Sequence, residues 1–197
     1  PELPATTLAE QCYWYMFKGC TSLVQAPELP ATTLARSCYS GMFYGCTSLT
    51  QAPELPATTL ASNCYHSMFF NCTGLTTAPS ILPATTLAQS CYYYMFYGCT
   101  SLTQEPELPA TTLSEYCYCC MFQGCTSLTQ APELPATKLA ESCYIGMFSG
   151  CSNLKYIKCL ATDISATNCT KGWVNSVSPT GTFVKVEGVE WETGNSG

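Results

Sequence analysis

Charge is scarce in this chain. Only 10% of its 197 residues are charged, with seven Lys and Arg against thirteen Asp and Glu, and it carries one histidine. The basic residues are scattered singly and the net charge is −6, so no basic stripe exists to replace phosphate counterions. Nucleic acid is thereby excluded as a partner. No apolar run approaches the roughly 18 residues of a membrane span, so this stretch does not insert into a bilayer. There is no Gly-rich phosphate loop. His66, the lone histidine, has no nucleophile that its sequence context identifies, and the chain reads as a non-enzyme without cofactor. A leader is absent too. The chain opens at Pro1 inside a repeat and closes abruptly at Gly197, which reads as a piece of a longer polypeptide, so missing signals carry no information.

Cysteine, by contrast, is abundant: sixteen residues, mostly in pairs such as Cys12 and Cys20 or Cys38 and Cys46. The pairs have seven residues between them, which matches no zinc spacing, and no metal site is expected. A buried thiol behaves as a small hydrophobe, so the regular pairs read as free core residues. Cys119 and Cys120 break the pattern and are the thiols expected to be exposed and oxidisable.

One unit accounts for most of the chain. It restarts at Pro1, Pro27, Pro53, Pro79, Pro106 and Pro132, a 26-residue period broken by one extra residue near Ile81. Such a period signals coils that cannot bury their apolar faces alone. Within the unit, Thr7, Thr33, Thr59, Thr86 and Thr112 are placed to cap a short helix, with Thr137 taking that role beside Lys138. Glu10, Gln89 and Glu115 complete capping boxes. Leu8, Cys12 and Met16 recur at intervals of four and suggest an apolar helical stripe. Gly19, Gly45, Asn71, Gly98, Gly124 and Gly150 share one position, and Asn is the usual substitute for Gly at positive φ, so a left-handed stop is expected there. A short polar strand follows, ended by proline.

The sequence therefore predicts an α/β fold: a right-handed solenoid of the leucine-rich-repeat type, with one short strand and one short helix per coil. Residues 1–155 hold six repeats, and residues 156–197 form a C-terminal capping segment. Leu154 to Leu160, across that boundary, reads as the last repeat strand, Ser165 to Val177 as a terminal helix, and Thr182 to Val186 as a strand. Trp173, Val174, Val177 and Phe183 are suited to seal the end.

Six times over, the chain writes Met-Phe-x-(Gly/Asn)-Cys-(Thr/Ser)-x-Leu, as in Met42-Phe-Tyr-Gly-Cys-Thr-Ser-Leu. This phrase resembles the leucine-rich repeats of BspA-like surface proteins of Bacteroides-type bacteria. The resemblance implies a secreted or surface-anchored adhesin that binds host proteins, glycans or neighbouring cells. The chain departs from the family in its strand, which has Ala26, Ala52, Ala78 and Ala131 where Ile or Leu is usual.

The six copies also provide an internal comparison. Cys38, Met42, Phe43, Cys46 and Leu49 with their equivalents are invariant and read as core. Tyr13, Tyr39, Tyr65, Tyr92, Tyr118 and Tyr144 read as a structural ladder with hydroxyls in water. Two adjacent slots vary: Trp14-Tyr15, Ser40-Gly41, His66-Ser67, Tyr93-Tyr94, Cys119-Cys120 and Ile145-Gly146. A third slot holds Lys18, Tyr44, Phe70, Tyr97, Gln123 and Ser149. Aromatics on a constant frame have the composition of a binding surface, which singles out Trp14, Tyr15, Tyr44, Phe70, Tyr93, Tyr94 and Tyr97 as ligand-contact candidates. The polar strand column Gln25, Gln51, Gln104 and Gln130 is the second candidate. Glu2, Glu28, Glu54, Glu107 and Glu133 form a third column of solvated carboxylates. The function expected is extracellular recognition of a protein or glycan; the alternative is a structural spacer or assembly subunit of a surface filament or phage tail, through self-assembly.

Overall fold

The computed structural model describes residues 3–191, so Glu2 and the chain after Trp191 lie outside the described residues. It contains no helix there and only two strands, β1 (Tyr156–Cys159) and β2 (Thr182–Lys185), paired in parallel with Tyr156 opposite Thr182. The expected α/β leucine-rich-repeat solenoid, with a helix in each coil, is therefore incorrect. What replaces the helix is a ribbon of consecutive β-turns.

The hydrogen bonds show why. Along residues 9–20 alternate amides stay within the coil: Cys12 donates to the Ala9 carbonyl, Trp14 to Gln11, Met16 to Tyr13 and Lys18 to Tyr15, each three residues back at 3.1–3.3 Å. The amides between them leave the coil. Gln11, Tyr13, Tyr15, Phe17 and Gly19 donate to carbonyls of Arg36, Cys38, Ser40, Met42 and Tyr44 at 2.8–3.0 Å. A helix would send every amide four residues back. Here half of them tie one coil to the next, and backbone groups inside the stack still find partners.

Every second turn has positive φ at its third residue, as type II turns require. In the second coil these residues are Ser37, Gly41 and Gly45, at φ 52°, 61° and 71°. The left-handed stop expected at Gly45 and its equivalents is present, but as one of three such residues per coil, spaced by four, and it ends no helix. The same triplet recurs at Asn168, Gly172 and Ser176, so the segment 165–177 is a seventh tier of turns and not a terminal helix.

The threonines expected as helix caps instead meet across coils. Thr33 bridges Thr59 and Thr86 bridges Thr112 in parallel. The polar strand shrinks to single-residue bridges at Gln25–Gln51, Gln51–Thr77, Thr77–Gln104 and Gln130–Tyr156. Proline directly after each of these segments removes the donors that would lengthen them. The extra residue of the fourth unit lies at Ser80–Ile81, where the Glu54 carboxylate accepts from the Ser80 amide and hydroxyl.

The core consists of columns running along the stack. Stacked rings connect Phe17, Phe43, Phe69, Phe96, Phe122 and Phe148 at centroid distances of 5.4–5.7 Å. A second column runs from Tyr13 to Tyr144 at 5.6–6.0 Å. Parallel backbones about 4.8 Å apart make such offset stacking of identical rings unavoidable. The tyrosine hydroxyls do not reach water as expected: those of Tyr39, Tyr65 and Tyr92 are buried. From Cys46 onward the second thiol of each cysteine pair donates back one coil, as Cys72 Sγ does to the Phe43 carbonyl at 3.0 Å and Cys99 Sγ to Phe69 at 3.1 Å. All sixteen cysteines are free and fourteen are buried. Cys119 and Cys120 are among the buried ones, contrary to expectation, while Cys12 and Cys20 are exposed.

Trp173 takes the position of the methionine column in the seventh tier. Its ring stacks on Tyr144 at 6.1 Å and tilts against Phe148 at 6.2 Å, ending both ladders with one side chain. Phe183 and Trp191 then close over it.

Candidate functional site

The turn ribbon decides what faces outward. Of each four residues two point into the core, so Tyr13, Met16 and Phe17 go in while Trp14, Tyr15 and Lys18 stand on the outer side. The variable slots of successive coils are therefore stacked side by side, and seven sequence-selected aromatics form one continuous surface. Trp14 meets Tyr15 at 5.1 Å, and Tyr15 meets Tyr44 edge-on at 6.0 Å. Tyr44, Phe70 and Tyr97 stack at 4.6 Å per step. Tyr94 packs edge-on against Phe70 at 6.1 Å, Tyr97 at 5.4 Å and Tyr93 at 4.2 Å.

Three further residues join this surface. His66 stacks on Tyr93 at 5.1 Å, and its burial lowers its proton affinity, so the neutral imidazole is favoured. Tyr116 meets Tyr93 at 6.3 Å. Lys18 holds its ammonium over the rings of Tyr15 and Tyr44 at 4.5 and 5.1 Å. His66 and Lys18 were visible as members of variable slots. Tyr116 was not, because it occupies a left-handed turn position, φ 54°, which a helical reading does not distinguish.

The surface is shaped by what is small. Gly41 lies under the Tyr15 ring, and a Cβ there would collide with it. Gly146 leaves room for the Cys120 thiol, 3.0 Å from where a Cβ would stand. Cys119 and Cys120, with Sγ atoms 3.6 Å apart, interact with the Tyr93 and Tyr94 hydroxyls and close the polar end of the patch. Burial pushes the Tyr93 hydroxyl well above the usual phenol range. Trp14 is its most accessible ring, 53% exposed; the others lie half-buried against one another.

The second candidate face is built differently. Gln25, Gln51, Gln104 and Gln130 are all exposed. Gln25 and Gln51 line an open groove with Pro27, Glu28, Pro53 and Glu54, and Gln130 lines another with Pro106, Glu107, Pro132 and Glu133. Two carboxylates of this face already have partners: Glu54 holds Ser80, and Glu133 accepts from Lys158 at 2.8 Å. In the alanine column Ala52, Ala78 and Ala131 are buried, whereas Glu105 stands half-buried with burial raising its carboxyl affinity for protons. No group of three or more His, Cys, Asp or Glu side chains is drawn together for a metal ion among the described residues.

No family model, curated protein or solved structure matches this chain.

Proposed function

We propose that this chain is an extracellular recognition module, without catalytic chemistry, that binds a protein or glycan through the outer aromatic face of its turn ribbon. The observation that carries the reading is the unbroken run of ring contacts from Trp14 to Tyr97, built only from slots that the repeat leaves free to vary. Elsewhere in the unit the copies are nearly identical, so packing alone does not require aromatics there. Rigid rings with few rotatable bonds contact a ligand at low entropic cost, and neutral rings with half-exposed edges suit sugar faces and apolar side chains. The Gln column offers only uniform polar groups, and two carboxylates beside it, Glu54 and Glu133, already have partners. The motif resemblance to BspA-like proteins supports a surface location and an adhesive role.

The test is binding of the purified chain to an array of matrix proteins and glycans, beside a variant with Trp14, Tyr15, Tyr93 and Tyr94 changed to Ser. A ligand retained by the chain and lost by the variant supports the aromatic face. Retention by both would place recognition on the Gln column. No ligand at all, together with concentration-dependent polymers in light scattering, would favour the spacer or filament subunit instead.

A further inference from the structure

Two adjacent thiols sit where the fold asks for none. The slots of Cys119 and Cys120 hold Trp14-Tyr15, Ser40-Gly41, His66-Ser67, Tyr93-Tyr94 and Ile145-Gly146 in the other coils, so the turn ribbon forms without sulfur at either position. The regular cysteine columns differ, since every coil repeats them and packing accounts for them. The Sγ atoms of Cys119 and Cys120 lie 3.6 Å apart. Their coil is bonded on both sides: the Tyr94 amide donates to the Cys119 carbonyl at 3.0 Å, and the Cys120 amide to the Ile145 carbonyl at 2.7 Å.

The surroundings give the two sulfurs different roles. A thiolate on Cys120 accepts from the Cys119 thiol and from the Tyr94 hydroxyl, which holds Cys120 below the ordinary thiol range in spite of its burial. Cys119 is pushed the other way, by the same hydrogen bond and by desolvation, and stays protonated. The regular thiols of this coil, Cys117 and Cys125, are both 0% exposed, and burial raises both, Cys117 up to about 12. Cys120 is 8% exposed, and its sulfur faces Gly146, which brings no side chain over it. Such an opening suits a small oxidant and not a bulky one.

The geometry points to Cys119 and Cys120 as a pair that hydrogen peroxide oxidises to a vicinal disulfide. The Cys120 thiolate attacks one oxygen of the peroxide, the O–O bond breaks, and Cys120 becomes a sulfenic acid while the departing hydroxide takes up a proton. The Cys119 sulfur then attacks Cys120 Sγ. The S–O bond breaks, and the Cys119 proton leaves with the hydroxyl as water. Two thiols and one peroxide thus give one disulfide and two waters. The product is strained, because Cα atoms joined by a trans peptide are about 3.8 Å apart and disulfides ordinarily span roughly 4.4–6.8 Å, so the bond is readily reduced again. Closure also withdraws the thiols that contact the Tyr93 and Tyr94 hydroxyls.

The test exposes the full chain to hydrogen peroxide, blocks the remaining thiols with N-ethylmaleimide in denaturant, and labels the thiols recovered on reduction with iodoacetamide. Tandem mass spectrometry then reads each site. The expected result is iodoacetamide label on Cys119 and Cys120 together, appearing about tenfold faster than on Cys117 or Cys125. A mild monothiol added before blocking restores both thiols. Cys119→Ser, a residue the same slot already carries at Ser40, removes the resolving sulfur, and Cys120 is then expected to proceed to sulfinic acid. Tyr94→Phe slows closure while the same bond still forms. Recovery of both thiols unreacted after Cys12 and Cys20 have been oxidised would overturn the proposal. So would sulfinic acid at either position of the unaltered chain without a disulfide, or a bond from either sulfur to a third cysteine.

Discussion

Gly41 shows how single residues set the surface. Its φ of 61° lies in the left-handed region, and the Tyr15 ring occupies the space a side chain would need. Gly41→Ala therefore combines backbone strain with displacement of Tyr15. The expected loss is about 1–3 kcal/mol of stability, measured by denaturant unfolding, with weaker ligand binding alongside. The buried thiols set the response to pH. Burial pushes Cys46 up to about 11 and Cys38, Cys72, Cys117 and Cys151 up to about 12. An unfolded chain ionises its thiols near pH ~8.5, so above that point the unfolded state holds fewer protons than the folded one. This contribution to stability is complete below the unfolded value and is lost as pH climbs towards about 12. Denaturation midpoints under reducing conditions should fall steadily between about pH 8.5 and 11. A flat profile would mean that the thiols are accessible in the folded chain.

Within one coil, the turn ribbon explains both what the sequence made legible and what it concealed. The repeat length, the invariant core and the left-handed glycine position were all readable, because identical copies mark constant environments. The helix was a misreading of period. Leu8, Cys12 and Met16 recur every four residues, and so do Tyr13 and Phe17 beside them. A helix turns every 3.6 residues and drifts from such a stripe, whereas paired turns advance by four and keep it. The left-handed residues Ser37, Gly41 and Gly45, also four apart, are the second trace of the same ribbon, but only the third of them carries a steady Gly or Asn signal. Since the ladders hold successive coils together, Phe96→Ala should cost about 3–5 kcal/mol. Trp173→Ala should cost a similar amount, about 3–5 kcal/mol, and leave Tyr144 and Phe148 without a closing ring. In both variants denaturant titration followed by tyrosine fluorescence is the appropriate measurement.

Across the whole molecule, the stack turns a one-dimensional repeat into two long faces, and the candidate site is a property of that stacking. The seven aromatics were identifiable because they vary where everything else is constant. That they touch one another was not, since their contacts cross coils and depend on a spacing that only the folded ribbon supplies. Tyr116, Lys18 and His66 join the patch for the same reason. The most direct test of the account is hydroxyl-radical footprinting of the chain while it is bound to a ligand found on the array. Trp14, 53% exposed on the aromatic face, and Val24, 64% exposed beside the Gln column, serve as reporters of the two faces. Protection of Trp14, with Tyr93 and Tyr94, and an unchanged Val24 is the predicted result. Protection of Val24 with Trp14 still fully oxidised would contradict it.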